Sequence, residues 1–232
     1  SGERGIFNRV AAQNQAAKWS RRSKDLSYGT NPCSEIILRD KQFCNLTEVV
    51  IREGDTEATL RSKIQLATIL GTFQATLTDF KFLSQEWKTN TEEERLLGVS
   101  MTGIMDAKIT SNPDPKMLER LRDEARKTNE KYSKLLSIPS SASITCVKPS
   151  GTVSQLVDSA SGIHARHNDY YIRRIRMDKK DPIYSYLKDQ GVSVEDEQFR
   201  PDSTAVFSFP MKAPKGALLR DSMTALEQLE NW

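Results

Sequence analysis

Apolar residues recur along this chain in two rhythms, one of period two and one near 3.6, and the switches between them divide it into strand-like and helix-like segments. Residues 45–52 are rich in β-branched side chains and predict a strand. Gly54-Asp55 then opens a periodic stretch in which Leu60, Ile64, Ala67, Leu70, Phe73 or Gln74, Leu77 and Phe80 recur near helical spacing. Asp55 is the expected N-cap, worth roughly 1 kcal/mol. The apolar run 97–104 predicts a buried strand interrupted by Gly98 and Gly103. Asp114-Pro115 caps and starts a second long helix through Leu121, Ala125, Tyr132 and Leu135, which Pro139 ends. Residues 143–147 predict a strand, 149–151 a turn, Thr152 a helix start, and 170–177 a strand that alternates aromatic, aliphatic and arginine positions. Strands and helices alternating at this spacing imply an α/β fold with largely parallel strands.

The ends and the composition refine this picture. The chain opens Ser1-Gly2-Glu3-Arg4-Gly5-Ile6-Phe7, and it closes in an amphipathic helical pattern with Met223, Leu226, Leu229 and Trp232 on one side and no stop signal. Both ends are those expected of a piece of a larger polypeptide. A length of 232 residues is enough to bury a good core in one large or two small domains. With 34 basic and 31 acidic residues the net charge is +3, which gives no global reason to expect nucleic-acid binding. Three cysteines, without a regular framework or an apolar leader, point to a reducing compartment. No apolar run has the length needed to cross a bilayer, and a cytoplasmic protein is expected.

The densest chemistry lies in Asn31-Pro32-Cys33-Ser34-Glu35, followed by Phe43-Cys44-Asn45-Leu46. Pro32 biases Asn31 toward extended geometry, and in an extended segment alternate residues share a face, so Asn31, Cys33 and Glu35 are expected to meet one small ligand together. A neighbouring negative charge disfavours ionisation of a thiol. The Cys33–Glu35 pairing therefore suits chemistry on a neutral S–H. Taken alone, Cys44 reads equally as a structural strand cysteine or a disulfide partner of Cys33, and Cys146 as a buried strand residue.

A second element is Lys148-Pro149-Ser150-Gly151-Thr152-Val153-Ser154, a strand passing through a tight turn into a helix. Backbone N–H groups at the helix start, with the hydroxyls of Ser150, Thr152 and Ser154, would form an anion site, and Gly151 would allow close approach. An ordinary capped helix start fits the same residues. The basic set Arg166, Arg173, Arg174, Arg176, Lys179 and Lys180 fits either an ion-paired surface or a phosphate or partner site. His164 and His167 lack further donors nearby, and no metal ligand is assigned.

Asn-Pro-Cys-x-Glu with its nearby second cysteine resembles the catalytic loop of ribonucleotide reductases, and the short gap between the cysteines resembles the adenosylcobalamin-dependent ribonucleoside-triphosphate reductases. The runs Glu92-Glu-Glu-Arg-Leu-Leu-Gly-Val-Ser-Met-Thr-Gly-Ile-Met-Asp106, Val147-Lys-Pro-Ser-Gly-Thr-Val-Ser-Gln-Leu156 and Gly162-Ile-His-Ala-Arg-His-Asn-Asp-Tyr-Tyr-Ile-Arg-Arg174 are similar to segments of that family in the same order. The resemblance implies that residues 1–232 are the C-terminal part of a ten-stranded catalytic α/β barrel, with the Cys33 loop running into its centre. It implies that Cys33 gives its hydrogen atom to a 5′-deoxyadenosyl radical and, as a thiyl, takes the 3′ hydrogen of the substrate ribose. Glu35 is then the base for the 3′ hydroxyl, Asn31 holds the ribose hydroxyls, and Cys44 is one of the redox pair whose partner lies upstream of Ser1. Substrate phosphates would sit on Pro149, Ser150, Gly151, Thr152, Val153 and Ser154. The implied cofactor is adenosylcobalamin, and the implied partners are a ribonucleoside triphosphate, a thioredoxin-like or other dithiol reductant and the rest of the polypeptide, with no nucleic acid and no membrane. The alternatives are a diphosphate reductase served by a separate radical-generating subunit, or a non-catalytic nucleotide-binding module.

Overall fold

A computed structural model of the chain describes residues 5–18 and 21–232; residues 1–4, part of the N-terminal reading above, lie outside the described residues. Helix α1 (Arg9–Lys18) precedes a hairpin of β1 (Gly29–Thr30) and β2 (Ile37–Leu38), paired antiparallel. Strand β3 (Asn45–Val50), helices α2 (Glu57–Gln74) and α3 (Gln85–Glu94) and strand β4 (Leu97–Thr102) follow. Next come the short α4 (Lys108–Ser111), the long α5 (Pro115–Leu135) and the single turn α6 (Val153–Leu156). The last part holds β5 (Tyr170–Asp178), α7 (Pro182–Asp189), β6 (Val194–Asp196), β7 (Thr204–Lys212) and α8 (Ala225–Asn231).

Strands β3 and β4 run parallel, from Asn45 opposite Leu97 to Val50 opposite Thr102. A third parallel lane lies on the other side of β4, where Val99 bridges Thr145, Val99 N–H donates to Ile144 O (2.8 Å) and Cys146 N–H to Val99 O (3.1 Å). Side chains alternate across this sheet. One face carries Val49, Ile51 and Val99 into a core with Leu60, Ile64 and Ala67 of α2 and Met117, Leu121 and Ala125 of α5. On the opposite face Leu46 and Cys146 crowd Gly98, together with Ile36 from the hairpin. Helices thus cover one side of the sheet, and the cysteine hairpin lands on the other.

Several expectations need correction. The N-cap of α2 is Thr56, in a reciprocal capping box with Thr59; Asp55 instead accepts from Arg52 N–H, Thr59 Oγ1 and Lys63 Nζ. The buried face of α2 is Leu60, Ile64, Ala67, Thr68, Gly71 and Thr72, which leaves Leu70, Phe73 and Leu77 exposed; the helix ends before Phe80. Small residues, rather than the large apolar ones, allow the close approach, since a Cβ on Gly71 would strike Leu97. The 143–147 segment makes one bridge, not a full strand, because Pro139 and Pro149 confine it and remove N–H donors. In the sheet β5-β7-β6 every pairing is antiparallel, so the largely parallel expectation holds for β3, β4 and the Thr145 lane, with one further parallel bridge between Arg166 and Leu219. Alternation of side chains carries no information about strand direction. Helix α3 went unforeseen because its buried positions are Asn90, Thr91 and Glu94, with no apolar period. Among the described residues no helix is long and apolar enough to cross a membrane.

Candidate active site

Asn31, Glu35 and Cys44 come together with Lys148 on the hairpin side of the sheet, but Cys33 does not join them as an extended segment would require. Residues 31–36 form the loop between β1 and β2, tightened by Ser34 N–H donating to Asn31 O (3.0 Å) and by a left-handed Ser34 (φ 63°). The turn breaks the shared face: Asn31 and Glu35 meet, while Cys33 is carried to the exposed tip as a free thiol. Asn31 Nδ2 donates to Glu35 Oε2 (2.5 Å), and Asn31 Oδ1 accepts from Ile36 N–H (3.0 Å). The other Glu35 oxygen faces Lys148 Nζ at 3.4 Å, and the Glu35 side chain is only 1% exposed. Burial pushes this carboxyl up, but hydrogen bonds from Asn31 and its own backbone N–H, with the charge and hydrogen bond of Lys148, outweigh burial and hold it below its ordinary value. Glu35 is thereby held toward its ionised form although its side chain is shielded from solvent.

Lys148 leads directly into the second element. Ser150 and Gly151 both hold left-handed backbone (φ 63° and 58°), and Gly151 N–H donates to Pro149 O (2.7 Å). A left-handed serine costs about 1–3 kcal/mol, strain that concentrates at functional loops. The expected hydroxyl cluster is partly committed inside the protein: Ser150 Oγ donates to Glu48 Oε2 (2.8 Å) and Ser154 Oγ to Gly151 O (2.7 Å). Thr152 and Val153 remain exposed. The expected helix start at Thr152 leads into α6, which is a single turn, so its dipole is small. Burial pushes the Glu48 carboxyl up, with Ser150 and Lys148 opposing, and its Oε1 is buried without a hydrogen-bond partner.

Cys44 and Cys146 are free, partly buried thiols near Glu35. Burial raises the Cys44 thiol far above its ordinary value, helped by Cys146 and Glu35 and opposed by Arg22 and Lys148. Burial pushes Cys146 up to about 12, with Glu35 adding to the shift. Both stay protonated near neutrality. Cys33 and Cys44 are both free thiols in this structure.

Two buried ion pairs that the sequence did not reveal hold these loops. Arg22 Nε lies 2.9 Å from Glu94 Oε2, which also accepts from Gln42 Nε2 (2.7 Å), while Arg22 NH1 donates to Ile37 O (2.9 Å) in the hairpin. Asp106 and Arg166 form a two-point pair (2.8 and 2.9 Å) with side chains 2% and 3% exposed, and Asp106 also accepts from Ala160 N–H (2.8 Å). That pair fixes residues 159–162 beneath the 149–151 turn, where Ser161 Oγ donates to Pro149 O (2.6 Å). Gly162 (φ 54°) passes so close that a Cβ there would stand 2.5 Å from Lys148 O. The only hint in the sequence was an Asp and an Arg within runs of matching family pattern.

No family model matches the chain. The adenosylcobalamin-dependent ribonucleoside-triphosphate reductase of Lactobacillus leichmannii is 31% identical over 216 aligned positions, covering 80% of this chain and 28% of the relative. The enzymes of that name from Levilactobacillus brevis (28% identity, 92% and 32%) and Euglena gracilis (30%, 87% and 27%) align similarly. A crystal structure of a B12-dependent (class II) ribonucleotide reductase superposes with a TM-score of 0.70 and 26% identity, over 88% of this chain and 32% of that one. The chain is thus similar to adenosylcobalamin-dependent ribonucleoside-triphosphate reductases over most of its own length. It spans between a quarter and a third of the length of these reductases.

In the fold shared with that class II reductase structure, β3, β4 and the Thr145 lane are neighbouring strands, with α2 and α5 packed on one face and the cysteine hairpin on the other. Four of the six basic residues form ion pairs, Arg166 with Asp106 and Asp158, Arg174 with Glu195, Arg176 with Glu197 and Lys179 with Asp196, while Arg173 bonds Gln155. His167 contacts Arg220 and Tyr171, and no group of three or more His, Cys, Asp or Glu is placed to hold a metal ion among the described residues.

Proposed function

We propose that this chain supplies the radical site of a reductase that converts ribonucleoside triphosphates to 2′-deoxyribonucleotides. Residues 1–232 are, in this reading, the C-terminal part of the catalytic barrel. The observation that carries it is the arrangement Asn31–Glu35–Lys148 behind an exposed Cys33, on a fold shared with class II reductases. Cys33 S–H gives up a hydrogen atom, and the resulting thiyl takes the 3′ hydrogen atom of the ribose. Glu35 accepts the 3′ hydroxyl proton, the 2′ hydroxyl leaves as water with a proton from one of the two redox thiols, and Cys33 finally returns the 3′ hydrogen atom. Asn31, tied to Glu35 and to Ile36, orients the ribose hydroxyls. Cys44 is one of two thiols that end as a disulfide, supplying the two electrons and two protons that replace the 2′ oxygen with hydrogen. Its buried, protonated state suits delivery of hydrogen. Residues 149–154 receive the phosphates, with Thr152 as the exposed hydroxyl and Gly151 allowing close approach.

The donor chemistry fits adenosylcobalamin. A corrin brings its own nitrogen ligands to cobalt, so the chain needs an approachable thiol rather than a metal cage, and Pro32, Cys33 and Ser34 are all exposed where the cofactor would be met. When bound, it supplies a carbon-centred hydrogen-atom acceptor at Cys33. A dithiol reductant of the thioredoxin type and a cytoplasmic, reducing location follow from the need to regenerate Cys44.

The test is deoxyribonucleotide formation by the intact protein with adenosylcobalamin, a ribonucleoside triphosphate and a dithiol. Cys33→Ser should abolish product, because an O–H bond is too strong to yield its hydrogen atom. Product at the parent rate from that variant would remove Cys33 from the chemistry.

A further inference from the structure

On the hairpin face of the sheet, one ammonium group acts on two carboxyls and two thiols. Lys148 Nζ sits 3.4 Å from Glu35 Oε1 and acts electrostatically on Glu48, Cys44 and Cys146 as well. The Glu35 side chain is 1% exposed and that of Lys148 22%, so the pair lies where water screens it poorly. Glu35 comes from the hairpin and Lys148 from the lane beside β4, 113 residues further along the chain. Lys148 also immediately precedes Pro149, and its carbonyl oxygen is crowded by Gly162, which fixes the backbone from which the side chain springs.

We propose that Lys148 is the positioning residue of the site: it holds Glu35 as a carboxylate ready to act as base and ties the cysteine hairpin to the strand that enters the 149–154 loop. This rests on Glu35 being the base in the reading above. The groups facing Glu35 are Asn31 on its own loop, Cys44 before β3, and Cys146 and Lys148 on the neighbouring lane; Glu48 on β3 shares Lys148. Of these only Lys148 is cationic. Asn31 stabilises the carboxylate through one hydrogen bond, whereas burial and any charge on the thiols oppose ionisation. Removing the ammonium therefore leaves a nearly dry carboxyl with one neutral side-chain donor, and its titration must move to higher pH.

The experiment follows the carboxyl carbon signal of Glu35 by NMR, assigned by its loss in Glu35→Gln, in the purified chain and in Lys148→Met and Lys148→Arg. The midpoint should rise in Lys148→Met and return toward the parent in Lys148→Arg. Lys148→Gln gives the same comparison if the methionine variant does not fold. In the intact protein, kcat/KM of Lys148→Met should fall about tenfold more at the acid end of the pH profile than on its plateau, the smallest ratio expected from losing an opposite charge at contact distance. An unchanged Glu35 midpoint in the folded variants overturns the proposal. The NMR measurement does not depend on nucleotide reduction. A shifted midpoint with full activity in Glu35→Gln would refute Glu35 as base and leave the electrostatic role of Lys148 standing.

Discussion

Replacing Gly98 by alanine tests whether the inner wall is as tightly built as its contacts indicate. A Cβ at this position would stand 2.4 Å from Leu46 Cδ2 and 3.1 Å from both Cys146 Sγ and Ile36 Cδ1. Ordinary carbon contacts lie near about 3.5–4.0 Å, so all three neighbours must move. Leu46 can rotate, at a cost of about 0.5–1.5 kcal/mol for an off-rotamer side chain. Retreat by Leu46 leaves Cys146 and Ile36 still too close, and overpacking of this kind costs about 1–3 kcal/mol in total. The lost glycine freedom of the unfolded chain returns about 0.4–1 kcal/mol. A net destabilisation of roughly 1–2 kcal/mol is expected, read as a lower urea midpoint at unchanged slope. Gly29→Ala is the control, because a Cβ there meets nothing within 4 Å and its backbone is not left-handed; it should be neutral or slightly stabilising. Function should follow, since Ile36 N–H anchors Asn31 and displacing Ile36 disturbs the Asn31–Glu35 bond. If Gly98→Ala proves as stable as Gly29→Ala, the wall is soft and the packing argument fails.

Two further outcomes are expected. Alkylation with iodoacetamide near pH 8, followed by peptide mapping, should label exposed Cys33 first and leave Cys44 and Cys146 largely unmodified, because burial raises both thiols and Cys146 reaches about 12; equal rates at the three cysteines would contradict this. Asp106→Ala should cost about 3–5 kcal/mol in urea unfolding, since it leaves the Arg166 guanidinium buried with only the exposed Asp158 as counter-charge. A loss below about 1 kcal/mol would mean that water or a shifted carboxylate replaces Asp106 at little cost.

What the sequence determined by itself was local. Turn residues marked the loop at Pro149, a β-branched run marked β3 and an apolar run β4, and Asp114-Pro115 placed the start of α5, where Asp114 accepts from Lys116 N–H at 3.0 Å. These signals act within a few residues, so they survive without knowledge of the rest of the chain. The family motifs named Cys33, Glu35 and Cys44 because residue types at fixed spacing are themselves the pattern. The tertiary structure alone decided which side chains share a charge. Lys148 reaches Glu35 across 113 residues, Ser150 reaches Glu48 across 102, and Arg166 reaches Asp106 across 60. It also decided which face of α2 is buried, because close packing on Gly71 and Thr72 outweighed the larger apolar side chains of Leu70 and Phe73. Coulomb and packing energies depend on separation in space, and separation along the chain does not report it.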